Sequence, residues 1–434
     1  MKYRIHFLLV ALLATGALSR AAAVDTLSLE QARTLALSQS QTLQEALASV
    51  SAAKLDEKLQ SYTLLPSITV SASGSAAAQS SSSSATYDAS AGVAIKQTIF
   101  DSTYGVLAAI SRISTSIAQT SARTEYFNVI AAADTAFYNA AKALASVAAS
   151  SSDLDSAKAS EELAKAKLEA GMISPVDFMK QEATVASNEA AFVSAQGSSS
   201  AAMRALASLT GIKLPVTLAP VDNDSSASLM KRVAILTDGQ AATFIARLEA
   251  TAAGNNLSLQ QASLAVEKAQ KNVDLAYAGY LPAVSASLSG STNISGVLQG
   301  SAVLSVSMPL DLWNTSTTVA SKKVAAQQAA LALSEAQRTT GVSIEQAVFD
   351  IISSARSVAA SQKALEYAQS YFENIQEQYR LSTASAADLT DAAQLVSTDR
   401  ASRISAQYQF LAGLSTLRSL AGLEADDLLV KLLP

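Results

Sequence analysis

Two short segments of the 434-residue chain set a serine three residues before an acid: Ser174-Pro175-Val176-Asp177 and Ser385-Ala386-Ala387-Asp388. At a helix start, such a serine accepts the backbone N–H of the third helical residue while the acid there reaches back to the cap. Both segments therefore read as caps of returning helices, with Pro175 in the first helical position. The second carries a further acid, Asp391, three residues on and so on the same helical face, where the first has Lys180. Paired carboxylates of this kind offer electrostatics, and little else in the chain offers covalent chemistry. There is no cysteine, and the single histidine is His6. A thiolate nucleophile, a Ser-His-Asp triad, a disulfide and His- or Cys-ligated zinc are thus excluded beyond the first residues. A carboxylate-only enzyme such as a glycosidase finds no pair of acids in an aromatic-lined pattern, and aromatics are only 5% of the chain. No enzyme, cofactor or metal centre is expected.

Residues 1–23 read as a secretory signal peptide: Lys2 and Arg4, an apolar run from Phe7 to Ala17, then Ala21-Ala22-Ala23. Removing its three basic residues takes the formal charge from −5 to −8, so nucleic acid is not an expected partner. With no cysteine at the cleavage point, an N-terminal lipid anchor is also out. No later stretch reaches 18 consecutive apolar residues, which excludes a transmembrane helix and leaves either a soluble exported protein or one that enters a membrane as strands.

An internal repeat organises the rest. Leu206-Ala207-Ser208-Leu209-Thr210-Gly211-Ile212 matches Leu417-Arg418-Ser419-Leu420-Ala421-Gly422-Leu423 at an offset of 211, and the same offset joins the turns at 171–177 and 382–388. Upstream the offset is 216, pairing Leu65-Pro66 with Leu281-Pro282, and the extra residues of the first copy fall at the serine run 80–84, an expected surface loop. Each copy begins with a helix, the first opened by the capping box Ser28/Gln31. Two alternating segments follow, expected as strand hairpins at about 66–100 and 282–310. Apolar Val70, Val93, Leu304 and Val306 lie on one face, and Ser90, Lys96, Ser301, Ser305 and Ser307 on the other. Long helices are expected at about 102–170 and 316–381, each a rod of about 105 Å. In the second, Ile344, Ile351, Val358, Leu365, Phe372 and Tyr379 recur every seven residues, the period of a left-handed coiled coil. Return helices follow each turn. Residues 212–239 read as a linker, so the domain reading is a first repeat over 24–211, a second over 240–423 and a tail over 424–434.

In this order and spacing, Leu27-Ser28-Leu29-Glu30-Gln31-Ala32, Tyr62 to Val70, Gln97-Thr98-Ile99-Phe100-Asp101 and the two turns resemble the TolC family of outer-membrane efflux and secretion channels across essentially the whole mature chain. The resemblance implies a mainly α fold with a membrane β-hairpin part: a homotrimer that pools four strands per protomer into one 12-stranded transmembrane barrel and twelve helices into a coiled-coil tunnel. It also implies an outer-membrane location extending into the periplasm, with a periplasmic adaptor (membrane fusion) protein, an inner-membrane pump and outer-membrane lipid as partners. At the periplasmic constriction it implies that Asp388 and Asp391 form a carboxylate ring, and that Tyr379 and Asp177 help hold the tip shut. The chain departs from the family pattern in having Ala384 where an arginine would complete that lock and Ser382 where glycine is usual, with Arg380 as a substitute donor. The rival reading, a soluble exported coiled-coil structural or surface protein, explains the heptads but not the duplicated hairpins.

Overall fold

The computed structural model describes residues 26–78, 85–220, 223–293, 296, 298–308, 311–423 and 431–433. The expected signal peptide, the serine loop 80–84 and most of the expected tail lie outside them. In chain order the elements are β1 (Thr26–Leu27), α1 (Leu29–Gln39), α2 (Gln41–Tyr62), β2 (Ser67–Ala78), β3 (Ala85–Asp101), α3 (Tyr104–Glu169), α4 (Pro175–Thr210), β4 (Thr217–Leu218), α5 (Asn223–Ala234), α6 (Asp238–Asn255), α7 (Leu257–Ala278), β5 (Ala283–Asn293), β6 (Leu298–Ser307), α8 (Leu312–Arg380) and α9 (Ala386–Ala421). The fold is mostly helical, with strands, as the sequence pattern implies.

The chain divides into two compact units. One holds 1–39, 130–235 and 352–412; the other holds 40–129, 236–351 and 413–434. Helices α3 and α8 contribute to both. In the first unit β1 pairs in parallel with β4, and the buried guanidinium of Arg33 grips Asp134 through Nε at 2.5 Å and Nη2 at 2.9 Å. Further along, Leu154 and Ala157 of α3 pack with Val185 of α4, and Leu365 and Ala368 of α8 pack with Val396 of α9. Each helix thus buries a narrow stripe against a neighbour, and the small Ala and Ser side chains elsewhere let the backbones approach.

The second unit carries the four-stranded antiparallel sheet, in the order β2-β3-β5-β6. Its register aligns four separate alternations into one mainly apolar and one mainly polar face. Ile68, Ile95, Leu288 and Ala302 form one row, Val70, Val93, Gly290 and Gly300 the next, while Thr69, Ala94, Ser289 and Ser301 form a row of the opposite face. On the polar face Ser73 and Ser90 hydroxyls lie 2.9 Å apart, and Ser289 and Ser301 hydroxyls 2.7 Å apart, across neighbouring strands. A bulge between Thr98 and Phe100 takes up Ile99, so that Phe100 still meets Val284 in an apolar row.

Two helices expected as continuous are broken. Ser40 separates α1 from α2 and accepts the Leu43 N–H, and Asn256 separates α6 from α7 and accepts the Leu259 N–H. These breaks are 216 residues apart, the offset of the upstream repeat, and the sequence reading missed them because a serine or asparagine within a periodic run is also compatible with a continuous helix.

Candidate functional site

The two turns that join α3 to α4 and α8 to α9 have the same backbone design. Each long helix ends in a residue of left-handed conformation, Gly171 (φ 72°) or Ser382 (φ 62°). In the first, Gly171 N–H donates to Leu168 C=O at 2.9 Å and Met172 N–H to Lys167 C=O at 2.8 Å; in the second, Ser382 donates to Tyr379 at 3.0 Å and Thr383 to Gln378 at 2.9 Å. These paired bonds close the last open carbonyls of each helix.

Each turn then opens a return helix with a reciprocal cap. Ser174 Oγ accepts the Asp177 N–H at 3.1 Å while Asp177 Oδ2 accepts from Ser174 Oγ at 2.8 Å and from its N–H at 3.3 Å, with Pro175 in the first turn. Ser385 and Asp388 repeat this at 3.2, 2.7 and 2.9 Å. The carboxyl of Asp388 is held below its ordinary value, first by the Ser385 hydroxyl, then by the Ser385 N–H, and further by the charge of Lys180. The residue that replaces an acid in the first copy thus acts on an acid of the second. Asp391 is exposed three residues further along α9.

Tyr379 lies deeper. It is 1% exposed, in a cluster with Ala164 of α3, Ile375 of α8 and Ala386, Leu389 and Ala392 of α9. Burial raises the pKa of its hydroxyl, and the negative charge of Asp177 raises it further. That hydroxyl has no hydrogen-bond partner among the described residues. The structure therefore brings Tyr379 and Asp177 into electrostatic range without a direct bond between them. Arg380, expected as a substitute donor, instead pairs with Glu377 on its own helix at 2.6 Å.

Two residues of the tip were not singled out by sequence. Gln181, 2% exposed, donates to Ala386 C=O at 3.1 Å and so ties α4 to the start of α9. Lys167 is also buried and donates to the Tyr379 carbonyl. A signal for it exists: Ala157, Ser160, Ala164 and Lys167 continue one three–four spaced stripe, all buried. A lysine on such a stripe must find acceptors or lose its charge.

Among the described residues no cluster of His, Cys, Asp and Glu is placed to hold a metal ion, and no helix is long and apolar enough to cross a membrane. The site holds charge and fixed backbone.

A family model described as outer membrane efflux protein matches residues 32–212 and 249–423. No curated protein sequence matches significantly. Among solved structures, the chain is similar to CusC, whose crystal structures concern folding and transmembrane channel formation, at 16% identity and a TM-score of 0.79, covering 94% of this chain and 96% of that one. It is likewise similar to the open state of the Neisseria gonorrhoeae MtrE outer membrane channel, at 17% identity, TM-score 0.74 and 94% and 93% coverage. The Campylobacter jejuni CmeC outer membrane channel gives 16% identity, 0.73, and 93% and 88%.

Proposed function

The chain belongs to the outer membrane efflux protein family, and from that premise we propose that it is the passive exit duct of a tripartite efflux or type I secretion system. Three copies would pool their four-stranded sheets into a 12-stranded barrel, with the helices forming a tunnel into the periplasm. An inner-membrane pump would supply energy and cargo through a periplasmic adaptor. The observation that carries this reading is the two-faced sheet. Its outer strands β2 and β6 each pair on one side only among the described residues, and one face is mainly apolar and bare: Val70 is 76% exposed and Leu298 82%. Unpaired edges and a bare apolar face are unfavourable in water and, for the edges, in lipid too; closure with other copies removes the edges, and lipid covers the face.

In this duct, 24–211 and 240–423 act as two repeats joined by 212–239, and the tips meet around the axis. Asp388 and Asp391 of three copies would then place six carboxylates in one throat, where mutual repulsion opposes the local stabilisation of Asp388 by Ser385 and Lys180 and favours multivalent cations. Tyr379 and Asp177 would support that throat from behind.

Fractionation of cells tests the location, and native mass the assembly. Detergent-extractable outer membrane and a mass of three copies are expected. Recovery in the soluble periplasm or medium would leave the exported coiled-coil reading standing instead.

A further inference from the structure

Lys167 has no counterpart in the other half of the chain, where the 211-residue offset places Gln378. From the last turn of α3 its ammonium donates to the Tyr379 carbonyl and, at 3.0 Å, to Ser382 Oγ, and it lies 4.3 Å from the centroid of the Tyr379 ring. All three contacts converge on the end of α8. The carbonyl belongs to the negative pole of that helix, where a cation is favoured, and the ring face adds attraction of its own. Ser382 meanwhile holds a left-handed backbone that strains a side chain, whereas Gly171 takes the same conformation freely and would meet nothing within 4 Å even with a Cβ added. So among the described residues the α3–α4 turn is relaxed and has no such cation bonded to it, and the α8–α9 turn is strained and clasped.

Burial disfavours the charged form of Lys167, and an apolar side chain would fill the same stripe at lower cost. The charge is retained where it fixes the position of one turn relative to a different helix. We infer that Lys167 is a positioning residue that clamps the α8–α9 turn to α3 and thereby keeps the tip, with Asp388 and Asp391 just beyond that turn, in its narrow state. This rests on the duct reading and assigns the closure to a bond within one protomer.

The test compares full-length wild type, K167M, K167R and S382G in planar bilayers of phosphatidylethanolamine and phosphatidylglycerol. Losing a charged hydrogen bond shifts a two-state equilibrium about tenfold, so K167M raises the open fraction by about that factor, and K167R, which keeps charge and donors, recovers most of the closure. S382G separates gating from stability: it removes the hydroxyl acceptor and relieves the backbone, so the melting temperature holds or rises while the open fraction still increases. An open fraction in K167M close to wild type, or no recovery in K167R, overturns the clamp. Should K167M not assemble, S382G decides alone, and a raised melting temperature with unchanged opening overturns it. Equal conductance in all four removes the clamp and leaves the duct. Failure of wild type and every variant to conduct removes the duct reading and the clamp with it.

Discussion

The tip and the sheet are written in the same small residues, yet they dispose of apolar surface in opposite ways. At the tip, Tyr379, Leu389 and Ala392 are covered by helices of their own chain; Gln181 and Lys167, which go under with them, donate to the Ala386 and Tyr379 carbonyls, and the Tyr379 hydroxyl alone of this group has no partner among the described residues. In the sheet, hydroxyls pair across strands on one face while Ile68, Val70, Leu298 and Leu304 stand bare on the other. One region reaches its minimum within the protomer; the other presents a surface whose complement is supplied from outside. A single chain therefore carries two definitions of inside, and alternation of period two or spacing of three and four tells which one applies at each point.

The largest effect that tests this contrast is in the self-contained helical unit. Asp134 is fully buried and Arg33 is nearly so, joined by two hydrogen bonds. Arg33→Ala removes that partner and is expected to cost about 3–5 kcal/mol, read as a large fall in melting temperature. A loss under about 1 kcal/mol would mean that this pair is not part of the unit's stability.

In the sheet the expected penalty depends on the face and not on burial in the protomer. Leu304→Arg places a charge on the apolar face and should lose about 2–4 kcal/mol of membrane stability, with little protein reaching the outer membrane; Ser305→Arg, one residue on and on the opposite face, should assemble nearly as wild type. Equal behaviour of the two would remove the distinction between the faces.

Smaller effects lie at the tip surface. Asp388→Asn with Asp391→Asn should weaken block by an added trivalent cation and lower cation preference in single-channel recordings, with the melting temperature little changed because asparagine is tolerated in a first turn. Unchanged block would leave Asp388 a capping residue and Asp391 a surface acid of α9. The smallest effect is in acid. The folded value of Asp388 is depressed, so its cap contribution is present above the ordinary carboxylate value and is lost as pH falls through the lower folded one. Titration of this carboxyl by NMR should show a midpoint below that of Asp388 in Ser385→Ala, and coincident midpoints would break the link to Ser385.

Much of this was legible in the sequence because it depends on period and on local chemistry. Of the heptad from Ile344 to Tyr379, Ile344, Ile351, Leu365 and Tyr379 are buried and Val358 and Phe372 half-buried, and Ser28 with Gln31 makes the reciprocal cap its spacing implies, at 2.9 and 3.2 Å. The same holds for the alternation around Val93, which the register aligns with Val70 and Gly290. What was not legible depends on which helix packs beside which. Lys167 meets Tyr379 across 212 residues, and no local pattern selects that pairing. The pull of Lys180 on Asp388 is of the same kind. Sequence identified the acid absent from the first copy, but only the fold shows that its replacement faces the other turn.

The bulge at Ile99 bears on how a chain of this design tolerates changes in length. Elsewhere in β3, deleting one residue exchanges every following side chain between the faces. At Ile99 the strand already carries one residue more than its partner, and its removal brings Phe100 directly after Thr98 with Val284 still opposite. A codon can be lost there and the strand's odd and even positions keep their meaning, so this is where length drift among relatives should collect while the rest of β3 stays fixed in count.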